Sequence, residues 1–146
     1  VMLHGIRICI MFFGIMLVTN FAYAKTVEIE MLNKDSTGRK MVYSHELMYV
    51  DSGDTVTWVP KSKGHNVEII VAPEGFDIPK KSKNSKEVSI EFVVPGIYYY
   101  WCTPHKGMGM IGLVVVDGDT SNKDVVAKAK ALGKSKKKLK SLLGEL

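Results

Sequence analysis

The sequence predicts an all-β fold: a Greek-key sandwich of seven or eight short strands with a C-terminal two-helix extension. Two observations carry this. From Thr26 to Val116 apolar residues recur in short runs, mostly with period two, and Gly, Pro and Asp turns separate the runs. From residue 122 onward the apolar spacing lengthens to three and four, the period of a helix.

Residues 1–24 read as an export leader. Arg7 supplies the charged start, Ile8 to Val18 the apolar run, and Ala22-Tyr23-Ala24 a small-x-small cleavage signal, with the cut after Ala24. The apolar run is shorter than the roughly 20 residues a membrane span needs, so no membrane insertion of the mature protein is expected. Cleavage leaves one sandwich domain, residues 25–117, and the extension, residues 118–146. It also removes Cys9, so of the two cysteines only Cys102 remains and no internal disulfide can form. A lone thiol in an exported chain needs protection or a task, because oxidising compartments favour disulfides.

In chain order, Thr26–Leu32 alternates Val27, Ile29 and Met31 against Glu28 and Glu30, a strand with one face buried. Residues 33–38 are rich in turn formers. Leu47–Val50 is a short apolar run, and Thr55–Val59 is a β-branched and aromatic strand stopped by Pro60. Val67–Val71 follows, then a lysine-rich connection over residues 72–86. Val88, Ile90 and Phe92 alternate again, Pro95-Gly96 turns the chain, Ile97–Trp101 runs into Cys102, and Ile111–Val116 closes the series. The turn chemistry predicts antiparallel pairing. In the extension, Val125, Val126, Ala129 and Leu132 share one helical face, Gly133 breaks the pattern, and Leu139, Leu142 and Leu143 mark a second helix. Asn122 or Ser121, and later Ser135, are expected as caps.

Charge is uneven. Residues 25–116 hold 11 basic and 11 acidic side chains, whereas residues 117–146 hold 8 lysines and 4 acids. The Lys134–Lys140 cluster lies opposite a leucine stripe and reads as a solvated helix face, so no nucleic-acid partner is expected.

The chemistry concentrates in residues 102–110, Cys-Thr-Pro-His-Lys-Gly-Met-Gly-Met, together with Gly64-His65-Asn66. Cys102, His105 and a methionine at 108 or 110 lie in one loop, and His65 comes from 37 residues upstream, on another segment. Two imidazoles and a thiolate with a weak thioether form the donor set of a blue-copper electron-transfer site. Structural zinc collects more Cys and His, and hard cations need carboxylates, which this loop lacks. A thiol enzyme using Cys102 with His65 or His105 as base would show an orienting acid, and a copper store would show open Met- and His-rich stretches. Neither is present. Met108 stands between two glycines, where a side chain faces solvent, while Met110 immediately precedes a strand that can fix it, which favours Met110. Asn66, beside His65, is placed to tie the two segments by hydrogen bonds through Thr103.

Gly64-His65-Asn66, the run PGIYYYWCTPHKGMGMIGLVVV at 95–116, MLNKDSTGRKMVYS at 31–44 and the two-helix extension resemble the pseudoazurins, small cupredoxins of the periplasm. The resemblance implies a cupredoxin β-sandwich and one type 1 copper ion per chain, bound by His65, Cys102, His105 and Met110. It implies an electron carrier rather than an enzyme, located in the periplasm. Its expected partners are acidic-surfaced redox proteins met transiently: a reductase of denitrification, a cytochrome, or a methylamine-oxidising dehydrogenase. Docking is expected at an apolar patch around the His105 edge, with Met41, Pro104, Lys106 and Met108, rimmed by Lys61, Lys63, Lys80, Lys81, Lys83 and Lys86. Two residues depart from the family pattern: Lys106 where an aromatic is common, and Trp101 where a lysine is common.

Overall fold

The computed structural model describes residues 17–19 and 22–146. Most of the expected leader, including Arg7 and Cys9, lies outside the described residues. Among the described residues no helix is long and apolar enough to cross a membrane.

Among the described residues, eight strands form two four-stranded sheets. They are β1 (Thr26–Lys34), β2 (Lys40–Tyr43), β3 (Leu47–Val50), β4 (Asp54–Pro60), β5 (Glu68–Val71), β6 (Val88–Phe92), β7 (Gly96–Trp101) and β8 (Ile111–Val116). The sheet orders are β2-β1-β4-β6 and β3-β8-β7-β5. The expected all-antiparallel pairing is corrected here. β1 runs parallel to β4, from Thr26 beside Thr55 to Met31 beside Pro60, and β3 runs parallel to β8. Turn residues reveal hairpins, but these two pairings join strands far apart in sequence, where no turn records the direction.

β2 is absent from the sequence reading. It has only four residues, and Met41 sits in the left-handed region at φ 52°, which breaks the alternation that marks longer strands. β1 also runs two residues past its expected end, which carries Asn33 onto the strand.

The apolar residues fall into two cores. The first lies between the sheets and contains Ile29, Met31, Tyr43, Trp58, Phe92, Tyr98 and Tyr100, with Cys102 and Met110 in the same cluster. Its aromatic rings meet edge to face, Trp58 with Tyr100 at 5.1 Å and Tyr43 with Tyr100 at 4.9 Å between centroids. The second core lies on the outer face of β7 and β8, where Ile97, Tyr99, Trp101, Ile111, Leu113 and Val115 meet Val126, Leu139, Leu142 and Leu143. Every residue of β7 and β8 is therefore buried, which is why these strands read as continuous apolar runs while β1 and β6 alternate. Gly112 in β8 has no room for a side chain, because a Cβ there would run into the Tyr100 ring.

The extension forms α1 (Lys123–Ala127) and α2 (Lys134–Leu143). The expected capping roles are corrected. Asn122 is the N-cap residue of α1, as expected, but its side chain makes no capping bond. Instead its Oδ1 accepts from the Ile97 N–H and its Nδ2 donates to the Ile97 carbonyl, both at 2.9 Å, which fastens the start of α1 to β7. Gly133, not Ser135, is the N-cap of α2, and Ser135 lies buried inside the first turn. Val125, expected on the buried face, is 60% exposed, because α1 is too short to bury more than Val126.

Candidate metal centre

The two halves of the site come from two separate connections, β4 to β5 and β7 to β8. β4 ends at Pro60, and the connection to β5 carries His65. Ser85 Oγ accepts from the Gly64 N–H at 2.8 Å, and the Ser85 N–H donates to the His65 carbonyl at 2.9 Å. Tyr43, fully buried, donates from its hydroxyl to the Asn66 carbonyl at 2.7 Å. The other half begins where β7 delivers Cys102 to the first core. A single 3₁₀ turn, Thr103–His105, then folds His105 back, its N–H donating to the Cys102 carbonyl at 3.0 Å. The loop closes when the Cys102 N–H donates to the Met110 carbonyl at 2.9 Å.

Three donor atoms converge. His65 Nδ1 lies 3.2 Å from His105 Nδ1, and Cys102 Sγ lies 3.7 Å from the first and 3.3 Å from the second. All three lie within 4.8 Å of one another, so they could hold one metal ion. His65 and Cys102 are fully buried, and His105 is half-buried. Met110 is fully buried in the cluster that holds Cys102, whereas Met108 is 50% exposed.

The hydrogen bonds around these atoms fix their orientation. Asn33 Oδ1 accepts from His65 Nε2 at 2.7 Å, which leaves the lone pair on Nδ1, aimed at the thiol. Asn66 bridges the halves: its Oδ1 accepts from the Thr103 N–H at 2.7 Å, and its Nδ2 donates to Thr103 Oγ1 at 3.0 Å. Thr103 Oγ1 in turn donates to Glu68 Oε2 at 2.6 Å, and the Trp101 indole N–H donates to the same oxygen at 2.7 Å.

Burial holds the donors uncharged. It lowers the basicity of both imidazoles, with the neighbouring His105 adding to the effect on His65. It pushes the Cys102 thiol up, against the Asn66 and His105 backbone N–H groups, which favour the thiolate. Burial opposes ionisation of Glu68 as well, but the donors Thr103 and Trp101, with Lys81 and Lys106 nearby, outweigh it and keep the carboxylate ionised. Two ring nitrogens and a soft sulfur thus face one point in a pocket that holds them uncharged. A soft cation there would be held by all three and would draw the proton from the thiol. The donor set therefore fits copper.

The sequence matches the copper binding proteins of the plastocyanin/azurin family over residues 29–117. It is 37% identical over 126 residues to the pseudoazurin of Paracoccus pantotrophus, which covers 85% of this chain and 86% of that protein. The crystal structure of native pseudoazurin from Hyphomicrobium denitrificans superposes with a TM-score of 0.76 at 41% identity, over 83% of this chain and 98% of that one. A Sinorhizobium pseudoazurin gives 0.78 at the same identity, over 83% and 95%. The chain belongs to the pseudoazurins. Like other pseudoazurins it is a copper electron-transfer protein and not an enzyme.

The two departures from the pseudoazurin pattern meet in space, with Lys106 Nζ 5.2 Å from the Trp101 ring centroid. Asn33, Tyr43 and Glu68 are the site residues that sequence reasoning missed. Asn33 reads in the sequence as part of a turn-rich loop after β1, and Glu68 is a polar residue at a strand end with no motif around it. Tyr43 lies on the unrecognised β2.

Proposed function

We propose that this chain is a periplasmic carrier of single electrons, in which His65, Cys102, His105 and, as a weak fourth donor, Met110 would hold one type 1 copper ion. The observation that carries the reading is the convergence of His65 Nδ1, His105 Nδ1 and Cys102 Sγ in one buried pocket. Copper, when bound, supplies the Cu(I)/Cu(II) couple. The protein keeps the donors still: Asn33 holds the His65 ring, Asn66 and Thr103 lock the two ligand segments together, and the buried floor excludes water. The burial of Met110 and exposure of Met108 support Met110, not Met108, as the fourth donor.

Partners dock, in this reading, where the half-buried His105 reaches the surface beside exposed Pro104 and Met108, with half-buried Met41 and Lys106 contributing. The lysine-rich connection supports the basic rim. Ser82 and Ser85 bond it to the His65 segment, the Val67 N–H donating to Ser82 Oγ at 2.8 Å, so Lys80, Lys81, Lys83 and Lys86 flank the same end as Lys61 and Lys63. Such a rim steers an acidic partner, a denitrification reductase among them, and a small patch allows rapid release. The leader reading of residues 1–24 and the lone thiol support the periplasm.

Adding Cu(II) to the purified chain tests this. An intense blue band that bleaches on reduction and returns on oxidation is expected, and Cys102→Ser removes it while the fold persists. A colourless protein with a freely reactive thiol would overturn the reading. Met110→Gln retains the copper and lowers the potential, whereas an unchanged potential rules out Met110 as the axial donor.

A further inference from the structure

The start of α2 lies directly against the loop between His105 and Met110. Ser135 is fully buried, and its hydroxyl donates to the Lys106 carbonyl at 2.5 Å. The Lys134 N–H donates to the Gly107 carbonyl at 3.0 Å. These are the two carbonyls that immediately follow His105. The approach is closest at Gly133, where φ is 53° and an added Cβ would run into the Gly107 carbonyl oxygen. Gly109, on the loop, lies in ordinary contact with Lys134 and Lys138 of the helix.

The dependence runs in both directions. α2 has no side-chain cap at Gly133, and the loop's Gly107 carbonyl takes one of its unpaired N–H groups instead. The loop, for its part, contains Gly107 and Gly109. Its own bonds gather at its two ends: Met108 N–H donates to the His105 carbonyl at 2.9 Å, Ile111 N–H to the Gly109 carbonyl at 3.1 Å, and Cys102 N–H to the Met110 carbonyl at 2.9 Å, which leaves the Lys106 and Gly107 carbonyls to the helix. Further along α2, Lys138 Nζ lies 2.8 Å from Glu46 Oε1, which also accepts from Arg39 at 2.9 Å, so the helix is itself anchored to the β2–β3 connection.

We propose that Ser135, aided by Gly133, is a positioning residue for the metal centre: the C-terminal helix fixes the path of the loop from His105 to Met110, and with it the aim of both side chains at Cys102. This rests on the reading of that loop as the copper-binding loop. The rival account is that the extension only seals the outer face of β7 and β8. The two roles sit in different residues, because the seal belongs to Leu139, Leu142 and Leu143.

The full chain carrying Ser135→Ala, Gly133→Ala or Leu142→Ala separates them. In the metal-free protein, Ser135→Ala is expected to speed hydrogen exchange of the residue 106–110 amides roughly fivefold or more, Gly133→Ala further, and Leu142→Ala only as much as its loss of global stability dictates. In the copper-loaded protein, Ser135→Ala shifts the visible band and the reduction potential, and Leu142→Ala moves neither. Loop exchange and absorption unchanged in Ser135→Ala would overturn the proposal, as would equal shifts in Leu142→Ala. Faster loop exchange in Ser135→Ala with no visible band in the wild-type protein would leave the loop brace standing and overturn the copper reading beneath it.

Discussion

The two cores are built from the same strand yet do different work. Along β7, Tyr98, Tyr100 and then Cys102 point into the first core, while Ile97, Tyr99 and Trp101 point into the second. The first is a two-sided aromatic interlock of both sheets, and it forms the floor of the metal centre. The second is a one-sided layer, mainly aliphatic but including Tyr99 and Trp101, covered by a five-residue and a ten-residue helix. The difference teaches that the floor beneath Cys102 is set by the interlocked side, while the covered side sets how much of the strand can be apolar at all.

Removing a large side chain from each core breaks the comparison most sharply. Trp58→Ala is expected to cost about 3–5 kcal/mol in denaturant unfolding, because a fully buried ring packed on Tyr100 and Phe92 cannot be replaced by collapse of its neighbours. It also weakens the copper colour, since the floor beneath Cys102 moves. Leu142→Ala, near the edge of the second core, is expected to cost about 2 kcal/mol and leave the colour intact. Equal costs and equal spectral effects would mean that the two cores act as one.

A smaller effect is expected at the orientation of one ring. Asn33→Ala removes the acceptor on His65 Nε2 and is expected to weaken copper binding about tenfold with little change in unfolding midpoint. Unchanged affinity in a competition titration would show that the first core alone orients His65.

The smallest effect is at the far end of the first sheet. Burial opposes ionisation of Asp54, but the Lys25 and Asp51 backbone N–H groups, with the Lys25 ammonium, hold its carboxyl below the ordinary carboxylate range. A depressed folded value means that the stabilisation is present above the unfolded value of about 4 and is lost as pH falls through the folded one. Asp54→Asn therefore lowers the thermal midpoint at pH 7, and the two proteins converge in acid. A gap that stays constant down to about pH 2 would remove the charge from this account.

The alternating strands β1 and β6 and the apolar β7 and β8 were legible because burial on one face or two leaves a period or a run in the residues themselves. The donor cluster was legible because Cys102 and His105 share a loop and His65 has no other evident use. The parallel directions of β1 with β4 and β3 with β8 were not, since long-range pairing leaves no local mark. Nor were the roles of Asn33, Asn122 and Ser135. All three are polar side chains whose partners lie more than 20 residues away, and a capping rule that looks only along the helix assigned Asn122 and Ser135 to the wrong partners.

The position of β8 has a consequence for how the chain assembles. The last strand to be synthesised lies in the interior of its sheet, between β3 and β7, so that β3 has no neighbour until β8 arrives. Contacts this distant in sequence make folding slow, because loop closure must precede any gain from pairing. Until that final strand docks, the Cys102 main chain has no Met110 carbonyl to close upon. The sulfur is enclosed beside Met110 only once that strand has docked, so metal that bound earlier would shorten the interval in which it is open to oxidants.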